Sequence, residues 1–353
     1  MIGVSYTGKS KQYYKAKRRR DRWVRRLSFL LVILVLFAGY LFMNSEKRTS
    51  GKSENEPRVL SYEQENLKMS YVKGSLYTST HDICVASEDV EDGADINTNS
   101  FKSAGLFDVD DSEVIFANNL HEKLYPASVT KIMTALIAIE NCDLDETVTI
   151  SKNASSTNFS ADEQTLGLLE GDSLSLYDLL GGLLVYSGND AAVAVAEHVA
   201  GSVDDFAALM NDKAEELWAT NTHFVNANGL HNSEHYTTAY DLYLIFNECI
   251  KHDEFVDIVS NDKYKADITG ADGNTRTEEW ESTNHYFTGE ATTPSGLEVV
   301  GGKTGTTNAA GACLVLLDKN ESGKQFISIV MGASSKEQLY LSMSSLIDSA
   351  NDN

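Results

Sequence analysis

The segment PASVTKIMTALIAIE, residues 126 to 140, constrains the fold more than any other stretch. From Ser128 to Ile139 every residue is apolar or small and uncharged except Lys131. A helix that is apolar on every side belongs in an interior. A lone ammonium there is costly, so it must find partners or lose its proton. Residues three apart share a helix face, with Cβ atoms about 5–6 Å apart, so Ser128 and Lys131 face each other. Pro126 suits the start of a helix and puts Ser128 in its first turn, among free N–H groups at the positive end of the dipole. An oxyanion formed beside Ser128 would be stabilised there. Desolvation favours a neutral Lys131, and a neutral amine next to a hydroxyl can take its proton.

The spacing S-x-x-K alone arises about once by chance in a chain of this length. A capping serine followed by a snorkelling lysine gives the same pattern. Two further motifs add weight. YSGNDAA supplies Ser187, Gly188 and Asn189 between two helical segments, where a helix-capping turn is the plain alternative. GGKTGTT supplies Lys303, Thr304, Gly305 and Thr306 on a predicted strand. Lys-Thr-Gly arises by chance in about one such chain in ten, and its plain alternative is a strand end whose glycines mark a bulge. Ser187 follows Ser128 by 59 residues, and Lys303 follows Ser187 by 116.

Around these motifs the periodicity predicts an α+β domain. SAGLFDVDDSEVIFANN reads as a hairpin, and SLYTSTHDICVAS could hold another strand. LSLYDLLGGLLVYS reads as one helix behind Ser173 or Ser175. NDAAVAVAEHVAG reads as a helix capped by Asn189 or Asp190 and stopped by Gly201. VDDFAALMNDKAEELW and TTAYDLYLIFNECIK follow as helices, then LEVVGGKTGTT, GACLVLLDKN and KQFISIVMGA as strands, then a closing helix from Lys336. The order is not alternating βαβ. It predicts an antiparallel sheet completed by strands from both ends of the domain and covered by helices. The four cysteines match no zinc or redox spacing and read as small core residues, with one bridge left open.

Charge divides the chain. Residues 1–26 hold ten Lys/Arg and one Asp, a net +9, so the remainder carries −32 of the total −23. That argues against nucleic-acid binding by the main domain. Residues 27–43 follow without a charge; as a helix they span roughly 26 Å, close to a bilayer core. The expected organisation is a basic cytoplasmic tail (1–26), a transmembrane signal-anchor (27–43), a polar stalk (44–74) and an extracytoplasmic domain (75–353). Secretion after cleavage of a signal peptide is the rival reading.

In this order and setting the three motifs match the set S-x-x-K, S-x-N and K-T-G. Over about residues 102 to 348 the chain resembles the serine-type D-alanyl-D-alanine carboxypeptidases, the low-molecular-mass penicillin-binding proteins. The likeness extends to YPASVTKIMTAL, GDSLSLYDLLGGLLVYSGNDAAVAVAEHVAG, NTHFVNANGL, HYTTAYDL and GGKTGTTNAAGACLV. The resemblance implies the β-lactamase/DD-peptidase-like fold and a peptidoglycan stem peptide ending in D-Ala-D-Ala as substrate. It implies attack by Ser128, proton acceptance by Lys131, and an oxyanion held by the N–H groups of Ser128 and Thr306. Ser187, between Lys131 and Lys303, would relay a proton to the departing D-alanine. Asn189 would bond the substrate, and Lys303 would supply positive potential. The strand residues Thr304, Gly305 and Thr306 would bind substrate, the two threonines at its carboxylate. β-Lactams would acylate the same serine, and no cofactor or metal is implied. Some relatives grip that carboxylate with an arginine after the last strand. This chain has no arginine beyond Arg276, and the segment offers Lys336 instead, a point charge without a planar fork.

Other readings compete. A class A β-lactamase shares the fold but needs a deacylating carboxylate, and no clear E-x-x-L-N lies between the second and third motifs. A catalytically dead wall-binding or sensor module is opposed by the intact motif residues. A zinc hydrolase would use His231 and His235, but turn residues around them oppose a shared helical face, and they read as loop histidines at a cleft rim.

Overall fold

The computed structural model describes residues 83–90 and 96–352. The expected tail (1–26), anchor (27–43) and stalk (44–74) lie outside them. Among the described residues no helix is long and apolar enough to cross a membrane.

The expected hairpin forms β1 (Ser103–Asp108) and β2 (Glu113–Asn118). The C-terminal meander forms β7 (Leu297–Thr307), β8 (Gly311–Asn320) and β9 (Gln325–Ala333). Together they make one antiparallel sheet in the order β2-β1-β9-β8-β7, with strands from both ends of the domain. Along β8, Cys313, Val315 and Leu317 face one core, and Ala312, Leu314 and Leu316 face a second. Strands covered on both sides are buried almost throughout, as the inner strands β1, β9 and β8 are. The closing helix, Lys336–Asp348, covers the second face with Leu339, Met343, Leu346 and Ile347.

The first face covers the helices: α1 (Lys131–Asn141), α2 (Leu176–Gly181), α3 (Asn189–Ala200), α4 (Val203–Glu216), α5 (Ala239–Cys249) and α6 (Asp253–Val259). The closing helix is α7. Helix α1 contacts α3, α4, α5 and α6. Its residues from Lys131 to Ala138 are all buried, as an all-round apolar helix requires. Truncating such a side chain, Leu136→Ala for instance, costs about 2–5 kcal/mol.

Several expectations need correction. A second antiparallel sheet runs β3-β4-β5-β6, from β3 (Thr147–Thr149), β4 (Ser173–Ser175), β5 (Lys263–Thr269) and β6 (Thr275–Glu281). LSLYDLLGGLLVYS is not one helix: Ser175 caps α2, which widens into a π turn over Gly182–Tyr186. Helix α3 ends at Gly201 as expected, but Gly188 holds its cap position. Asn189 and Asp190 are instead its first residues, with side chains engaged elsewhere. Within SLYTSTHDICVAS the described residues 83–87 form no strand. No disulfide joins the four cysteines, and three of them are buried.

Candidate active site

Ser128 lies in a 3-10 turn, Ala127–Thr130, that runs directly into α1, and Lys131 is the first residue of that helix. Lys131 is fully buried. Its Nζ lies 2.8 Å from Asn189 Oδ1, 2.8 Å from the Asn228 carbonyl oxygen and 3.0 Å from Ser128 Oγ. The first two partners can only accept. A neutral amine has two N–H donors and one lone pair. With both donors spent on Asn189 and Asn228, the lone pair is left for the Ser128 hydroxyl. Burial holds Lys131 well below the ordinary lysine range; the nearby Lys303 charge adds to this, and Asp190 opposes it.

Two residues before Asn189, Ser187 takes a left-handed conformation (φ 75°) where the π turn ends. For a serine that conformation costs about 1–2 kcal/mol, and such strain gathers at functional sites. Asp190 points the other way: its buried carboxylate accepts the N–H groups of Leu166, Leu168 and Ala191, which ties residues 166–168 to the start of α3.

The K-T-G segment lies on β7, at the edge of the five-stranded sheet. Its glycine has a steric reason. A Cβ on Gly305 would stand 2.8 Å from the Pro126 carbonyl oxygen and 3.0 Å from the Ser128 nitrogen. Only a glycine lets the strand approach the serine turn so closely. A bulge between Val299 and Gly301 also occurs, as the plain reading of the glycines requires. Lys303 is buried, donates to the Thr304 carbonyl at 3.1 Å, and is pushed down to about 7 by burial.

A cleft of about 660 Å³ brings together Ser128, Ser187, Asn189, Thr304, Gly305, Thr306 and Lys336. Lys131 and Lys303 lie beneath its surface. Ser187 Oγ has no hydrogen bond to either lysine among the described residues. Thr304 Oγ1 is 2.6 Å from Thr283 Oγ1. His285 also lines the cleft, stacked on Tyr340 with ring centroids 4.5 Å apart. Sequence reasoning missed Asn228, Thr283, His285 and Tyr340. The Asx turns of N-A-N-G were the available sign of the Asn228 loop: Asn226 Oδ1 accepts Gly229 N–H and Asn228 Oδ1 accepts Leu230 N–H.

The two histidines do not form a pair. His231 lines the cleft and is exposed, as a rim residue should be. His235 is not on the rim: it is 2% exposed and bonded inside the fold. Among the described residues, the cluster able to gather on a cation is Glu140, Glu248 and His252; none of them lines the cleft, and Lys213 already bridges Glu140 at 2.7 Å. The carboxylates on the cleft, Asp162 and Glu163, lie between the first and second motifs, and Glu163 accepts the Ser160 N–H at 2.7 Å.

A family model described as D-alanyl-D-alanine carboxypeptidase matches residues 90–335. The chain is 32% identical over 259 residues to the D-alanyl-D-alanine carboxypeptidase DacF of Bacillus subtilis, covering 70% of this chain and 61% of that one. It is 33% identical over 235 residues to DacC of Escherichia coli, covering 65% and 55%. It thus spans about three fifths of the length of these curated relatives. The crystal structure of the Streptomyces K15 DD-transpeptidase superposes with a TM-score of 0.66 at 28% identity, over 72% of this chain and 98% of that one.

Proposed function

The chain belongs to the D-alanyl-D-alanine carboxypeptidase family, and on that premise we propose that it is a serine carboxypeptidase that removes the terminal D-alanine from peptidoglycan stem peptides. The observation that carries the reading is the bonding of Lys131. Burial favours its neutral amine, and with two acceptor-only partners taking the N–H donors, that amine's lone pair is left to meet Ser128 Oγ at 3.0 Å.

In the acylation step Ser128 Oγ attacks the carbonyl carbon between the two D-alanines, and its proton passes to Lys131. The backbone N–H groups of Ser128 and Thr306 receive the developing oxyanion, which supplies about 2.7–4 kcal/mol per donor in comparable sites. The C–N bond then breaks, and the proton reaches the departing amine through Ser187. Water attacks the acyl-enzyme, frees Ser128 and completes the hydrolysis. The terminal carboxylate meets Lys303, Thr304, Thr306 and, from the cleft rim, Lys336. Lys336 is the first residue of α7, where its charge opposes the helix dipole, so a role outside its own helix accounts for it better than helix stability does. The outer edge of β7 offers unpaired backbone groups to an extended peptide. Penicillins acylate the same serine.

Residues 1–26, 27–43 and 44–74 act as basic tail, membrane anchor and stalk in this reading, with residues 75–353 on the outer side. The abrupt change from +9 to an uncharged run supports it. One relative on the same fold bears the name DD-transpeptidase, so an amine acceptor in place of water is the second outcome to test.

Intact mass after penicillin treatment tests the proposal. The wild type is expected to gain one penicilloyl group and Ser128→Ala none. An adduct on the alanine variant would remove Ser128 from its role. Incubating a D-Ala-D-Ala peptide with and without an amine then separates free D-alanine release from transfer.

A further inference from the structure

Ala127, the residue before Ser128, has φ +50°, in the left-handed region that alanine seldom occupies. Its neighbours hold it there. The Ala127 carbonyl accepts the Thr130 hydroxyl at 2.8 Å. It also lies so close to Gly229 that a Cβ on that glycine, itself at φ +84°, would come within 1.8 Å of the oxygen. Thr130 Oγ1 is in turn 2.8 Å from His235 Nε2. On the other side of the ring, Nδ1 accepts the Val225 N–H at 3.1 Å.

These partners fix the tautomer. A backbone N–H can only donate, so Nδ1 is unprotonated and the ring proton sits on Nε2. Nε2–H therefore donates to Thr130 Oγ1, whose own hydrogen goes to the Ala127 carbonyl. The chain runs one way: Val225 N–H, His235, Thr130, Ala127. Ala127, Thr130 and His235 are each at most 2% exposed. Burial, with His223 close by, pushes His235 down to about 4, in keeping with a neutral ring.

We propose that His235 is a positioning residue for the reaction at Ser128, clamping together the two segments that hold the nucleophile and its base. Through Thr130 it holds the left-handed turn that aims Ser128 Oγ. Through Val225 it anchors the loop whose Asn228 carbonyl receives Lys131 Nζ. The proposal rests on Ser128 as nucleophile and Lys131 as base. A ring that merely filled space against Phe224, 5.5 Å away, would depend on its size and not on where its nitrogens stand.

The test is stopped-flow acylation of the full chain by a fluorescent penicillin, with melting temperatures measured alongside. His235→Asn keeps an acceptor toward Val225 but reaches no farther. His235→Gln puts an amide donor near the Nε2 position. Thr130→Val removes the middle link, and Thr130→Ser keeps it. His235→Asn and Thr130→Val are expected to lower the maximal acylation rate about 10- to 100-fold while the half-saturating concentration stays within about twofold. Thr130→Ser is expected to recover most of the rate, and His235→Gln, which keeps the donor toward Thr130 but loses the acceptor toward Val225, part of it. The double variant Thr130→Val/His235→Asn is expected to be no slower than the slower single one, because both break one chain. Wild-type rates in both His235→Asn and Thr130→Val would overturn the proposal, as would losses that follow melting temperature and spare no conservative variant. Should His235→Asn not fold, the Thr130→Val and Thr130→Ser pair decides. A wild type that took no label at Ser128 would sink the nucleophile assignment and this proposal with it; a labelled wild type with unaffected variants would sink the positioning role alone.

Discussion

The floor of the cleft and its rim are built differently. On the floor, Lys131, Asn189 and Lys303 are buried, and Lys131 spends every bonding direction on a named partner. On the rim, His231 and Lys336 are exposed. A buried polar group left without a partner costs about 1–3 kcal/mol, so the floor tolerates few residue types. A solvated rim pays no such cost, and its residues can change with the substrate. The chemistry should therefore reside in the floor and the selectivity in the rim.

Lys131→Met probes the floor with the largest effect. Acylation by a fluorescent penicillin is expected to slow by about 10²- to 10⁴-fold, with the fold retained. Unimpaired acylation would discard the lysine as base. Gly305→Ala comes next. Its methyl would drive β7 away from the serine turn, with an expected loss of about 10²-fold in acylation rate. A full-rate alanine variant would show that the close approach is dispensable.

At the rim, Lys336→Ala is expected to raise KM for a D-Ala-D-Ala peptide about tenfold, about 1.4 kcal/mol, and leave kcat nearly unchanged. Lys336→Arg should restore binding through its planar fork. A fall in kcat without a change in KM would move Lys336 out of recognition.

Lys303→Met sharpens the contrast through stability. Burial depresses the Lys303 amine to about 7, below its unfolded value, so the unfolded chain binds the extra proton above that pH. The resulting penalty is absent above about pH 10.5, grows as pH falls toward about 7, and is level below that. The methionine variant should therefore melt higher than wild type at neutral pH, by free energy on the order of a few kcal/mol, with the gap closing as pH rises. An equal gap at pH 7 and at pH 10.5 would contradict the burial argument.

Most of the floor was legible in the sequence, because side-chain types carry it. Ser128, Lys131, Asn189 and Lys303 announce themselves by chemistry and spacing, and the all-round apolar α1 announces burial. Asn228 did not, because it acts through a carbonyl that every residue possesses. Thr283 and Tyr340 come from remote segments, and only tertiary contact brings them to the cleft. In the fold, β8 and β9 were plain apolar runs, and β7 was legible from its glycines and the K-T-G motif. The strands β5 and β6 were missed because only Ala266, Ile268 and Trp280 on them are buried, so charge hides the alternation. The π turn before Ser187 escaped notice because its leucines keep a helical period while the backbone widens.

The account turns on the charge of one amine, and titrating it is the direct test. In protein labelled with 15N at lysine Nζ, the Lys131 resonance can be assigned as the one lost in Lys131→Met. It is expected to show the neutral form well below pH 10.5, the ordinary lysine value. A Lys131 that stays an ammonium up to pH 10 would leave Ser128 without its base.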